Sequence, residues 1–122
     1  MAKVILLSPP YVDLYGKLSR AAGRYFPLGL AYIASYLRKY GQHDVLMYEP
    51  EAQELTYEDI ARIIKSEEPD FVGLTCSTPN FHRALELARL CREHDLMVLS
   101  DEAYFDMIYE GKGKSIPGIS LE

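Results

Sequence analysis

The chain contains no tryptophan, two cysteines and three histidines, and each scarcity removes a class of protein. Cys76 and Cys91 stand in neither CxxC nor CxxxCxxC spacing, which excludes a zinc ribbon and a cluster-bearing loop and leaves two buried thiols in a reducing compartment as the expectation. His43, His82 and His94 are too scattered to ligate a metal together. Basic residues are also in deficit: 13 Lys and Arg against 18 Asp and Glu give a formal charge of -5, the wrong balance for a nucleic-acid partner. No apolar run reaches the roughly 20 residues of a membrane span, and Met1-Ala2-Lys3 leads straight into a strand pattern without a secretory signal, so no membrane partner and a cytoplasmic location are expected. Gly113-Lys114-Ser115 ends like a phosphate-binding loop, but the first glycine of that motif would fall on Ile108. Lys17, Arg20 and Arg24 read as a solvated charged face.

What remains is the composition of a soluble globule, 48% hydrophobic and 25% charged, expected to form a single α/β domain over residues 1–122. Lys3 to Ser8 is a continuous apolar run halted by Pro9-Pro10, the pattern of a buried parallel strand. A long connection from Pro9 to Phe26 follows, too long for a plain turn and therefore either a functional loop or partly mobile. Pro27 suits a helix start, with Leu30, Ile33, Ala34 and Leu37 at helical spacing up to Gly41. Asp44 to Tyr48 reads as a second strand, Glu49 to Leu55 as a polar connection, and Thr56 caps a second helix bearing Ile60, Ile63 and Ile64. Phe71 to Thr75 is a third strand. Thr78-Pro79 opens a third helix with Ala84, Leu87, Ala88 and Cys91 on its buried side, and Leu96 to Ser100 is a fourth strand. Ala103, Tyr104, Met107 and Ile108 suggest a last short amphipathic helix, and Leu121-Glu122 reads as a cloning remnant. Strands alternating with helices predict a flavodoxin-like, Rossmann-like parallel sheet in the order 2-1-3-4, with helices on both faces. A fifth strand and final helix do not fit the length, so the apolar face of strands three and four is covered by 103–119, by a second copy in a homodimer, or not at all.

The pieces KVILLSPPY (Lys3 to Tyr11), FPLGLAYIASYLRKYG (Phe26 to Gly41) and PDFVGLTCSTPNFHRALELA (Pro69 to Ala88) occur in an order that resembles the cobalamin-binding domain of radical-SAM proteins, over residues 3 to about 88. The resemblance implies a flavodoxin-like fold with the corrin over the carboxyl ends of the strands, and it places Ser8, Thr75, Ser77 and Thr78 at the mouth. Three departures bear on it. Asp13-Leu14-Tyr15-Gly16 has tyrosine where the Asp-x-His-x-x-Gly motif has its axial histidine, Ser100-Asp101-Glu102 replaces small residues with two carboxylates, and a fifth strand is missing.

Residues from about 89 to 116, RLCREHDLMVLSDEAYFDMIYEGKGKSI, resemble a segment of fold-type-I pyridoxal-phosphate aminotransferases. By that resemblance Asp101 meets the pyridine nitrogen and Tyr104 the phenolic oxygen of the cofactor. The lysine that forms the Schiff base has no counterpart, since Lys112 and Lys114 lie in a glycine-rich tail. Two family patterns meeting inside one helix lead to the expectation of an engineered chimera, with residues 1 to about 85 from one parent and about 86 to 122 from the other. The chimera would have no catalytic activity, and no cofactor would be expected in it. A cobalamin-binding module that keeps its pocket is the alternative, and Ser8, Thr75, Ser77, Thr78, Asp101 and Tyr104 are the candidate cofactor-binding residues, as remnants in the first reading.

Overall fold

The computed structural model describes residues 1–21, 26–77 and 80–100. Its centre is a parallel sheet of four strands, β1 (Lys3–Leu7), β2 (Asp44–Tyr48), β3 (Phe71–Leu74) and β4 (Met97–Ser100), in the order β2-β1-β3-β4. This is the expected topology, and the strands lie where the apolar runs placed them. The register aligns Ile5 with Leu46 on one side and with Val72 on the other, and β3 sets Val72 against Val98. Because side chains alternate along a strand, this register sends Ile5, Leu7, Val72 and Leu74 to one face and Val4, Leu6, Phe71 and Gly73 to the other.

Helix α1 (Leu28–Tyr36) runs on into a wider turn over Leu37–Gly41 and closes at Gln42, whose φ of 52° supplies the left-handed stop expected one residue earlier, at Gly41. Gly41 is instead a place of close approach: a Cβ there would come within 2.5 Å of the His43 ring. After β2 a single turn, α2 (Pro50–Gln53), forms where a polar connection was expected. Helix α3 (Tyr57–Glu67) starts on a reciprocal capping box, in which the Asp59 N–H donates to Thr56 Oγ1 at 3.2 Å and the Thr56 N–H donates to Asp59 Oδ2 at 3.0 Å. The Thr56 N–H, and after it the Thr56 hydroxyl donating to Asp59 Oδ2 at 2.9 Å, hold the Asp59 carboxyl below its ordinary range. Helix α4 (Phe81–Glu93) begins after Asn80, and the expected start at Thr78-Pro79 lies outside the described residues.

Helices α3 and α4 cover the face that carries Ile5, Leu7 and Val72, and Ile60, Ile64, Leu87 and Cys91 close that core with no solvent exposure. Burial pushes the Cys91 thiol up to about 11. Cys76 is exposed, which corrects the expectation that both thiols are buried: β3 ends at Leu74, so Cys76 falls beyond the sheet. On the opposite face, among the described residues, α1 packs alone, through Leu30 and Ala34 against Val4, Leu6 and Val45. No helix among the described residues is long and apolar enough to cross a membrane.

Candidate functional site

The carboxyl ends of parallel strands are where open α/β sheets receive ligands, most of all in the crevice where neighbouring connections leave in opposite directions. Here that crevice lies between β1, whose chain leaves toward α1, and β3, whose chain leaves toward α4. The segment after β1 turns through Pro9 and Pro10 and forms short 3-10 turns over Val12–Ala21, broken at Gly16. The expectation of a functional or mobile loop from Pro9 to Phe26 is therefore refined. Most of it is fastened down, and residues 22–25 lie outside the described part. Three side chains do the fastening. Glu51 on α2 accepts from the Tyr11 and Val12 N–H groups at 2.8 and 3.0 Å. Arg83 on α4 pairs with Asp13 at 2.8 Å while also reaching Glu86 at 3.1 Å and lying 5.3 Å from the Tyr57 ring. Asn80 reaches Ser8 Oγ and the Pro9 carbonyl, each at 3.5 Å.

Next to this edge, on the α1 face, a trough of about 700 Å³ runs along the sheet. Leu6, Phe71, Gly73 and Leu99 form its floor, and Gly29, Leu30 and Ile33 of α1 form one wall. Thr75 and Cys76 stand at its carboxyl end, and Ala2 and His43 at the other. Among the described residues one helix covers this face, which leaves the trough open: Met97 and Leu99 on β4 are 57% and 56% exposed, and Ile33 of α1 is 48% exposed. Gly73 keeps the floor low, since a Cβ there would come within 2.6 Å of Leu6 Cδ2. The volume is in the range of about 300–1,000 Å³ typical of sites for small molecules and cofactors, and the lining is apolar with polar groups at its two ends.

Of the residues singled out in the sequence, Ser8, Thr75 and Ser77 do gather at this edge. Ser8 is buried, Thr75 is half-buried and Ser77 is exposed. Asn80 touches two of them, because its Oδ1 accepts from the Ser77 N–H at 2.7 Å. Thr78, Asp101 and Tyr104 lie outside the described residues, as does the 103–119 segment considered as cover for the sheet. Sequence reasoning missed Asn80, Gly73 and the α1 wall. The run Ser77-Thr78-Pro79-Asn80, a cluster of turn formers, was the available signal for Asn80. For the trough the available signal was the shortage of cover expected on one sheet face.

The donor set constrains what could sit here. No histidine occurs in the segment after β1, and Tyr15, in the place of an axial histidine, is 42% exposed with its ring 6.4 Å from that of Tyr11. Among the described residues no three His, Cys, Asp or Glu side chains gather into a metal cluster. The described residues therefore suit a large, partly apolar ligand held by shape and hydroxyl groups. A corrinoid with its own nucleotide tail meets that requirement.

Comparison with known proteins agrees with the geometry. The family model described as a B12 binding domain matches residues 18–99, about two thirds of the chain. An uncharacterised methyltransferase of Pyrococcus horikoshii is 38% identical over 90 residues, covering 74% of this chain and 19% of that protein. The anaerobic magnesium-protoporphyrin IX monomethyl ester cyclase of Rubrivivax gelatinosus is 25% identical over 130 residues, covering 93% of this chain and 23% of that protein. The chain thus spans about a fifth of the length of the curated relatives it matches. No solved structure matches.

These matches overturn the expectation of an inert engineered chimera. The family pattern runs through α4 and into β4, straight across the supposed seam near residue 86. The physical picture is the same: Ala84, Leu85, Leu87, Ala88, Leu90 and Cys91 are all buried, and residues on both sides of 86 contribute to one continuous helix face. No match supports an aminotransferase segment. The SDEAY likeness is a short local pattern, and only Ser100 of it falls within the described residues.

Proposed function

The chain belongs to the B12-binding domain family, and from that premise we propose that it holds a cobalamin at the carboxyl edge of its sheet, as the cofactor-bearing module of a larger corrinoid-dependent enzyme. The observation that carries this reading is the trough opening at Thr75 and Cys76, beside the crevice between β1 and β3. Its apolar floor and α1 wall suit the flat aromatic base at the end of the nucleotide tail. Ser8, Thr75 and Ser77 offer hydroxyl groups to the polar parts of the molecule. Gly29 and Gly73 leave room where larger side chains would intrude. Without a histidine after β1, this segment offers the cobalt no imidazole ligand, and binding rests on shape, burial and hydrogen bonds. The corrinoid supplies the cobalt chemistry that side chains lack, and the residues described here hold and orient it. One relative's designation as a methyltransferase favours methyl transfer as the reaction class of the larger enzyme.

Equilibrium dialysis against hydroxocobalamin tests the reading. One equivalent should be retained at micromolar concentration, and a Gly29→Leu variant, in which a side chain enters open space at the trough wall, should lose at least about tenfold in affinity without losing stability. Absence of retention by the unaltered chain would defeat the reading.

A further inference from the structure

We propose that Asn80 is a positioning residue for this site: its side chain sets the separation between the loops after β1 and β3, and through it the shape of the rim. The proposal rests on the corrinoid reading of the carboxyl edge. Asn80 is 3% exposed, and of the buried polar residues in the described part it and Ser8 meet directly. Its Oδ1 accepts from the Ser77 N–H at 2.7 Å and from Ser77 Oγ at 3.4 Å. That bonding fixes which end of the amide is the oxygen, so Nδ2 turns to the other loop and donates to Ser8 Oγ and to the Pro9 carbonyl. The Asn80 N–H also donates to the Ser77 carbonyl at 3.1 Å.

A buried amide is costly unless both its ends are bonded. Both ends of Asn80 are bonded only while the two loops stand at this separation. The amide is mounted at the start of a 13-residue helix, which is anchored by Ala84, Leu87 and Ala88, so it moves little. Glu51 and Arg83 hold the segment after β1 further along, at Tyr11 to Asp13. Asn80 is the tie at the strand's own end. Thr75 and Cys76, at the rim of the trough, lie on the loop that Asn80 restrains through Ser77. Asn80 itself is buried beneath the edge and acts through the loops.

The test uses Asn80→Ser, which keeps an oxygen favoured before a helix but is too short to reach Ser8 and Pro9. Its hydroxocobalamin affinity in equilibrium dialysis should fall about tenfold, as expected for a lost buried hydrogen bond. Ser8→Ala should fall severalfold, and the double variant no further than Asn80→Ser alone, the signature of a shared interaction. Ile63→Ala, remote from the edge, controls for stability and should bind normally at a comparable loss in melting temperature. Unchanged affinity in Asn80→Ser, or a matching loss in Ile63→Ala, overturns the positioning role while leaving the corrinoid reading intact. No retention by the unaltered chain overturns both. If Asn80→Ser does not fold, Ser8→Ala carries the test, and normal binding by it overturns the proposal.

Discussion

The two faces of the sheet are built from the same strands and treated oppositely. Where α3 and α4 pack, Ile5, Leu7, Ile60, Ile64, Val72, Leu87 and Cys91 are wholly buried. Where α1 packs, β1 and β2 are covered, but the strand on the far side keeps Met97 and Leu99 more than half exposed, with an apolar trough beside them. Alternation along each strand gives both faces comparable hydrophobicity, so the difference is one of helix cover. Among the described residues one face is a finished core, and the other keeps an apolar trough.

The sharpest way to break that comparison is truncation on each side. Leu87→Ala removes a wholly buried side chain from the finished face and should cost about 2–5 kcal/mol in urea unfolding. Leu99→Ala, 56% exposed on the open face, should cost less than about 1 kcal/mol. Comparable losses at the two positions would show that the open face is covered after all. The thiols provide the next contrast. Burial on the finished face raises Cys91 to about 11 from an ordinary 9.0, so its thiolate at neutral pH is scarcer by about a hundredfold, before shielding is counted. A thiol reagent should therefore modify Cys76 in the folded chain and reach Cys91 only on unfolding, as peptide mapping after a short exposure would show. Above about pH 9 the raised Cys91 value makes ionisation favour the unfolded chain, so stability should decline between about 9 and 11.

Much of the fold was legible because it rests on local rules. The apolar runs at Lys3–Leu7, Asp44–Tyr48 and Phe71–Leu74 are strands, and the order β2-β1-β3-β4 follows from right-handed crossovers. The Thr56 cap and the stripe Ile60 and Ile64 came from spacing alone. The shortage of cover on one sheet face was legible from the length, but the walls of the trough were not, because they join α1 to β1, β3 and β4 across most of the chain. Asn80 was hidden for a similar reason: its importance comes from Ser8, 72 positions away. The fusion reading failed because it rested on a local likeness over about 89–116, while the B12-binding pattern continues through α4 and into β4.

A smaller effect checks the finished face at its edge. Thr56→Ala removes the hydroxyl half of the capping box and should cost about 1 kcal/mol. The Asp59 half is smaller still. Its carboxyl is held below the ordinary value of 3.8, so its contribution is present above that pH and is lost as pH falls through the depressed value. The stability gap between the unaltered chain and Asp59→Asn, measured by urea unfolding at a series of pH values, should narrow steadily below about pH 3.8.

The central claim, that the face left open by α1 is the ligand face, is tested most directly by mapping amide chemical shifts on addition of hydroxocobalamin. The account predicts perturbations concentrated at Leu6, Gly29, Ile33 and Gly73 to Ser77, with α3 and the buried side of α4 unmoved. Perturbations centred on α3 and α4, or none at saturating hydroxocobalamin, would contradict it.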